Sequence, residues 1–245
     1  MWQAQVMATG KSVRTRVRAE MISEIKAIAR EHLARDGANL SLRAVARDMG
    51  MVSSAVYRYF ASRDELLTAL IIDAYNAVGA VAEEAESAVS RTDLRGRVLA
   101  LGRGARSWAR QNPAEYALVF GSPVPGYVAP QETVDPAARI PLRIGRILQD
   151  AAAAGFSVAP GPVRLPAAVR ADMKRLNEFP DFAGIPEVTM ARGVALWSQI
   201  IGLISFELFG HLEGAIVSYD AFFDYQLRLT AAQLGISSGA EAAPA

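Results

Sequence analysis

The chain has 245 residues, 51% hydrophobic and 21% charged, which is the balance of a globular core and not of a disordered chain. With no cysteine there is no disulfide framework and no thiolate chemistry, and two distant histidines, His32 and His211, argue against a structural zinc site. The net charge of +1 hides an asymmetry: residues 1–63 carry 11 Lys and Arg against 5 Asp and Glu, so the front is basic by +6 and the remainder acidic by −5, as expected of a protein that meets nucleic acid at one end.

In chain order, nearly every long segment has helical period and none alternates like a strand, so the expected fold is all-α with about nine helices. Residues 1–16 read as a basic N-terminal arm, with Lys11, Arg14 and Arg16 ahead of Arg18. Val17, Met21, Ile25, Ile28, His32 and Leu33 then make the apolar stripe of a first helix, which Asp36-Gly37 ends. Ser41 stands where an N-cap belongs, and Leu42, Val45, Ala46 and Met49 form the apolar face of a short second helix that Gly50 breaks. A third short helix follows to about Tyr59, starting at Val52 or Ser53. Ser62-Arg63-Asp64-Glu65 is a capping box that opens a long helix to about Ala88.

Thr92 or Asp93 caps the next helix, and Asn112-Pro113 starts another. The stretch Gly121 to Thr133 holds three prolines and two glycines and reads as a loop. Helix resumes at Asp135-Pro136, with a kink expected near Pro141 because proline lacks a donor. A second Pro-rich loop covers Ala159 to Pro166, and a helix follows near Ala167 to Asn177. Long helices then run from Pro186 to about Phe209 and from Ser218 or Tyr219 to Gly235, leaving residues 237–245 as a flexible tail. The first ten residues lack the apolar core of a signal peptide. The most apolar run, Val194 to Gly210, is short for a membrane span and carries Gln199 and Glu207. The expectation is a soluble, cytoplasmic protein with no membrane partner.

The run from Leu42 to Phe60 is two short helices around a tight glycine turn, the pattern of a helix-turn-helix. Val45, Met49, Val56 and Phe60 supply its inner side, leaving Ser53, Ser54, Ala55, Tyr57, Arg58 and Tyr59 outward or at the N-terminal end. A recognition helix presents that end to base edges in the major groove. Arg43 and Arg58 can bond guanine edges or phosphates.

Ser41, Arg43, Ala46, Gly50, Tyr57, Phe60, Ser62, Arg63 and Leu66, at these spacings, resemble the signature of the TetR family over about residues 17–75. One departure is Val52, where that family usually has Ser or Thr to cap the recognition helix; Ser53 is the candidate substitute. The resemblance implies phosphate contacts from Ser41, Ser53, Tyr57, Tyr59 and Arg63, base-facing roles for Arg43, Ser54 and Ala55, and a role for Arg58 at the same face. It implies a three-helix DNA-binding domain over residues 17–63, then a helical effector-binding and dimerisation domain over 64–236. It further implies a transcriptional repressor released from a palindromic double-stranded operator by a small, largely apolar effector. The last two long helices would form a homodimer interface, and a small apolar effector would bind among the C-terminal helices. Candidate pocket residues are Trp108, Tyr116, Phe120, Trp197, Ile200, Leu203, Phe206 and Glu207, of which Glu207 needs a ligand group, a backbone donor or an arginine as partner.

No cofactor is implied. Gly102-Arg103-Gly104-Ala105-Arg106 lacks a preceding strand and a third glycine for a phosphate loop, and no nucleophile elbow or zinc-protease motif occurs, so an enzyme is not expected. A ligand-free, architectural DNA binder is the alternative.

Overall fold

A computed structural model describes residues 2–37, 39–156 and 164–236, with side chains from Val13 onward. The expected tail over 237–245 lies outside the described residues. Among those described, ten α-helices and two 3-10 turns occur and no strand. They are α1 (Trp2–Asp36), α2 (Leu42–Asp48), α3 (Ser53–Val56), α4 (Arg63–Ser87), α5 (Leu94–Gln111), α6 (Pro113–Phe120), α7 (Val134–Ala153), α8 (Ala167–Leu176), α9 (Glu187–Leu208) and α10 (Tyr219–Gln233). The 3-10 turns are Gln131–Thr133 and Pro180–Phe182.

Two compact units emerge. Unit 1 is Met1–Ala74 with Pro113–Thr133, and unit 2 is Tyr75–Asn112 with Val134–Ala245. The sequence reading put everything after residue 63 in the second domain; instead the start of α4, all of α6 and the Pro-rich loop after it group with the helix-turn-helix. The cause is burial. Val124 of that loop enters the same core as Ile25, Val45, Val56, Phe60, Leu66 and Leu70, with Leu118 and Tyr127 against it. Polar bonds pin the segment as well: Thr68 and Tyr127 share a hydroxyl hydrogen bond of 2.9 Å, and Arg30 donates to Glu115 at 2.9 Å.

Local chemistry explains the helix ends in unit 1. Ser41 caps α2, its hydroxyl accepting the Ala44 N–H at 3.4 Å. Gly50 takes φ 67° after α2, so Met51 N bonds Ala46 O and Gly50 N bonds Arg47 O, a Schellman closure that needs the left-handed region glycine adopts without strain. At α4 the capping box forms with a variation: Ser62 Oγ accepts from Glu65 N at 3.1 Å, while Glu65 reaches back to the Ala61 N–H at 2.5 Å.

Two expectations for unit 1 change. Residues read as an arm continue α1 as helix from Trp2, so Lys11, Arg14 and Arg16 sit on a helix, and Val17, expected on the buried stripe, is 49% exposed. The third helix is only Ser53–Val56, after which turn-type bonds carry the chain to Phe60. Val52 occupies its cap position and makes no side-chain bond, so Ser53 does not take over as cap but is the first helical residue.

Unit 2 packs α7, α8 and α10 against α9, and α10 and α7 against α5. Its core includes Val98, Leu101, Ala105, Trp108, Ile144, Ile147, Leu148, Leu196, Ile200, Ile204, Phe223 and Leu227. The helix α7 continues through Pro141 without a break. Buried among these helices, Arg97 donates to Glu86 at 2.5 Å and to Asp150 at 2.7 Å, and Arg143 adds to Glu86 at 3.3 Å. Such charges persist away from water only when each has a counter-charge in bonding range. Both α4 and α9 are long and apolar enough by composition to cross a membrane, though half of α4's most apolar stretch is buried within the protein.

Candidate functional site

In unit 1, Ser41, Arg43, Tyr57 and Arg63 line one concave patch with Leu40, Leu42, Ala61 and Ser62, a cleft of about 460 Å³. Three elements converge there: the start of α2, the turn after α3 and the start of α4. Ser41 and Ser62 use their oxygens to accept backbone N–H bonds, which leaves each hydroxyl proton able to donate outward. Arg43 is exposed and Tyr57 is 43% exposed. Hydroxyl donors interleaved with guanidinium groups are the donor set that phosphate oxygens and guanine edges accept.

The remaining candidates divide. Ser54 and Arg58 are exposed, and Ser53 and Ala55 half-buried, so the short α3 presents small side chains to solvent. Tyr59, expected outward, packs instead against the hydrophobic core of unit 1 and lies beneath Arg18, whose guanidinium carbon is 5.2 Å from the ring centroid. Arg18 also donates to the Arg58 carbonyl at 3.4 Å. That arginine stood among the basic residues of the sequence, but only the fold shows it bracing the recognition turn. Arg14 and Arg16 are exposed on α1, Arg16 lying 3.6 Å from Glu20. Lys11 lies on the α1 backbone, with its side chain outside the described ones.

His32 Nε2 sits 2.8 Å from Asp48 Oδ2 and ties α1 to the end of α2. The hydrogen bond from His32 holds the Asp48 carboxyl below its ordinary range, with Arg47 contributing and desolvation opposing.

The effector candidates divide between the two units. Tyr116 and Phe120 lie in unit 1, their rings 5.0 Å apart. Trp108, Ile200 and Leu203 belong to unit 2, where Trp108 and Ile200 are buried in its core, while Phe206 is 50% exposed. Glu207 accepts a two-pronged pair from Arg106 at 2.6 and 2.8 Å, so its partner is an arginine of its own chain. Arg106 also reaches Asp220 at 2.6 Å, and Arg103 pairs with Asp224. His211, exposed at the end of α9, sets its ring edge-on to Phe206 at 5.2 Å.

Of the eight, Trp197 lines an apolar cavity. That cavity, about 180 Å³, lies within unit 2 between Pro141, Ile144, Gly145 and Leu148 of α7, Leu176 of α8, Phe182, and Met190, Gly193, Val194 and Trp197 of α9. Glycines inside two apolar helices were the one signal in the sequence that helices approach closely here. A Cβ on Gly145 would lie 2.6 Å from the Phe182 ring, and one on Gly193 would collide with a Leu148 methyl.

Known proteins resemble this chain. Residues 25–70 match the bacterial regulatory proteins of the tetR family, and residues 98–230 match the tetracyclin repressor-like C-terminal domain. The HTH-type transcriptional regulator Rv1816 of Mycobacterium tuberculosis (strain ATCC 25618 / H37Rv) is 40% identical over 238 residues, covering 94% of this chain and 98% of that one. The crystal structure of the protein SCO4313 is similar at a TM-score of 0.70 with 34% identity, over 88% of this chain and 97% of that one. A bacterial regulatory protein in the tetR family from Rhodococcus RHA1 shares the fold at a TM-score of 0.59 and 17% identity, over 89% and 98% of the two chains. Likeness at this level along nearly the full length of both chains means that this chain belongs to the TetR family: it is a DNA-binding transcriptional regulator and not an enzyme.

Proposed function

We propose that this regulator is a cytoplasmic homodimer that represses from a near-palindromic operator and is released by a small, largely apolar effector. The observation that carries the DNA side is the convergence of Ser41, Arg43, Tyr57 and Arg63 on one exposed concave patch, all four lying within the basic first 63 residues. In this reading Ser41, Ser53, Tyr57 and Arg63 hold phosphates, Arg43, Ser54 and Ala55 face bases with Arg58 beside them, and Lys11, Arg14 and Arg16 strengthen attraction to the duplex through charge.

The homodimer is supported by the outer surface of α9 and α10. Val194, Phe206, Phe209, Tyr225 and Leu229 are all at least 39% exposed, an amount of bare apolar surface on two neighbouring helices that marks an interaction site. A pair of heads so joined reads half-sites separated by about one duplex turn, 34–36 Å, or a multiple of it. An effector that favours another arrangement of the heads then weakens DNA binding by the same factor that DNA weakens effector binding.

Selection from random duplexes followed by gel shift tests the reading. A two-fold symmetric consensus bound by two chains is expected. Binding without sequence preference at every salt concentration overturns it.

A further inference from the structure

We propose that the cavity between α7, α8, α9 and the Pro180–Phe182 turn is the effector site of this chain, and that its ligand is an uncharged molecule, poor in hydrogen-bonding groups, of about one to two fused rings. The assignment rests on the ligand-responsive reading above and adds place, size and chemistry to it.

Three features carry it. Size comes first: at about 180 Å³ the void exceeds what packing faults leave in a well-filled core. An apolar cavity of about 150 Å³ stays dry and takes up benzene, so this one accommodates a substituted or fused ring.

The lining comes second. Pro141, Ile144, Leu148, Leu176, Phe182, Met190, Val194 and Trp197 contribute carbon, sulfur and ring surface, with Gly145 and Gly193 between them. A carboxylate or ammonium brought here would lose its hydration with no counter-charge to replace it, so charged ligands are excluded. Another cleft of unit 2, lined by Arg103, Arg106, Ser107, Arg110 and Gln111, would suit an anion, but its guanidinium groups already face Asp224, Glu207 and Asp220.

Rigidity comes third. Leu148 is seated against Gly193 and the Phe182 ring against Gly145, each filling the space a side chain would take. Two walls are thereby held in place, and the void is preformed instead of collapsing. On α9, Val194 both lines the cavity and stands 39% exposed on the apolar outer surface. A bound ring that shifts α9 changes the surface on which the proposed dimer rests.

The test is isothermal titration of the full chain with toluene, indole, naphthalene and benzoate, beside an operator gel shift with each. Toluene and indole are expected to bind, with benzoate at least about tenfold weaker. Leu176→Phe fills the void and should weaken both neutral probes at least about tenfold, whereas Leu176→Ala enlarges it and should move the preference toward naphthalene. If Leu176→Phe does not fold, the size shift in Leu176→Ala decides alone. Benzoate binding as tightly as toluene, absence of binding by every neutral probe, or an unchanged preference in Leu176→Ala overturns the site while operator recognition stands. A neutral probe that binds yet leaves the operator complex unaltered overturns the ligand-responsive reading and the proposal together.

Discussion

Arg106 clasps Glu207 across 101 residues of sequence, Nε to Oε2 at 2.6 Å and Nη2 to Oε1 at 2.8 Å, and so fastens α5 to α9. Both side chains are nearly buried, at 10% and 14% exposure, and the Arg106 guanidinium also lies over the Phe223 ring at 5.2 Å. The Glu207 hydrogen bonds raise the Arg106 pKa, against the desolvation that lowers it. Removing the arginine leaves Glu207, in a low-dielectric site, with the longer ion pair to Arg110 at 3.9 Å in place of two short charged hydrogen bonds. Arg106→Ala should therefore cost about 3 kcal/mol in urea unfolding, while Arg106→Met with Glu207→Leu should return to within about 1 kcal/mol of the parent, because the double change leaves no orphaned charge. Equal losses in the single and double variants would contradict this account.

Acid should loosen unit 2 through its carboxylates. Burial raises the Asp150 carboxyl, but hydrogen bonds from Arg91 and Arg97 outweigh it and hold the group below its ordinary value of 3.8. Glu83 is held below 4.5, chiefly by its hydrogen bond from Arg139. A carboxyl lowered on folding contributes its full stabilisation above the ordinary value and loses it as pH falls through the lowered one. Unfolding midpoints should thus decline below about pH 4.5, and Asp150→Asn should lower stability at neutral pH while making the decline below about pH 3.8 shallower. An acid limb as steep as the parent's would show that Asp150 is not among its causes.

The turn of the helix-turn-helix depends on Gly50 at φ 67°. Alanine there has open space around its Cβ, so the penalty is purely conformational, about 1–2 kcal/mol. Gly50→Ala should lower the unfolding free energy by that amount and weaken operator binding; Gly50→Asn should cost less, since asparagine tolerates the left-handed region better.

Within the DNA-facing patch the two kinds of contact should separate. Tyr57→Ala should weaken binding to cognate and scrambled duplexes alike. Arg43→Ala should cost about 1–3 kcal/mol on the cognate operator and relax sequence choice at one position. Parallel titrations on both duplexes decide it, and equal losses for Arg43→Ala would reassign it to phosphate.

Charge on the apolar outer surface should split the proposed dimer. Phe206 is 50% and Tyr225 60% exposed, so replacing either by glutamate disturbs little of the core of unit 2. Phe206→Glu with Tyr225→Glu should halve the mass seen by light scattering and reduce operator affinity at least about tenfold, because two linked heads gain from effective concentration. An unaltered dimer mass would place the interface elsewhere.

What the sequence determined by itself was local. The Ser41 cap, the Gly50 closure, the Ser62–Glu65 box and the buried Val45, Val56 and Phe60 are set by residues within a turn or two of one another, so short-range spacing is enough to find them. The tertiary structure alone decided which distant pieces share a core. Nothing near Pro113 announces that α6 will bury Tyr116 in the unit of the reading head, or that Glu115 will meet Arg30. Nor could periodicity distinguish Trp197, beside a cavity, from Ile200, packed solid three residues later. Apolar stripes state that a helix has a buried side; which side chains fill that space, and where a void remains, follows from how close the helices come, and Gly145 and Gly193 set that distance only once Phe182 and Leu148 are brought against them.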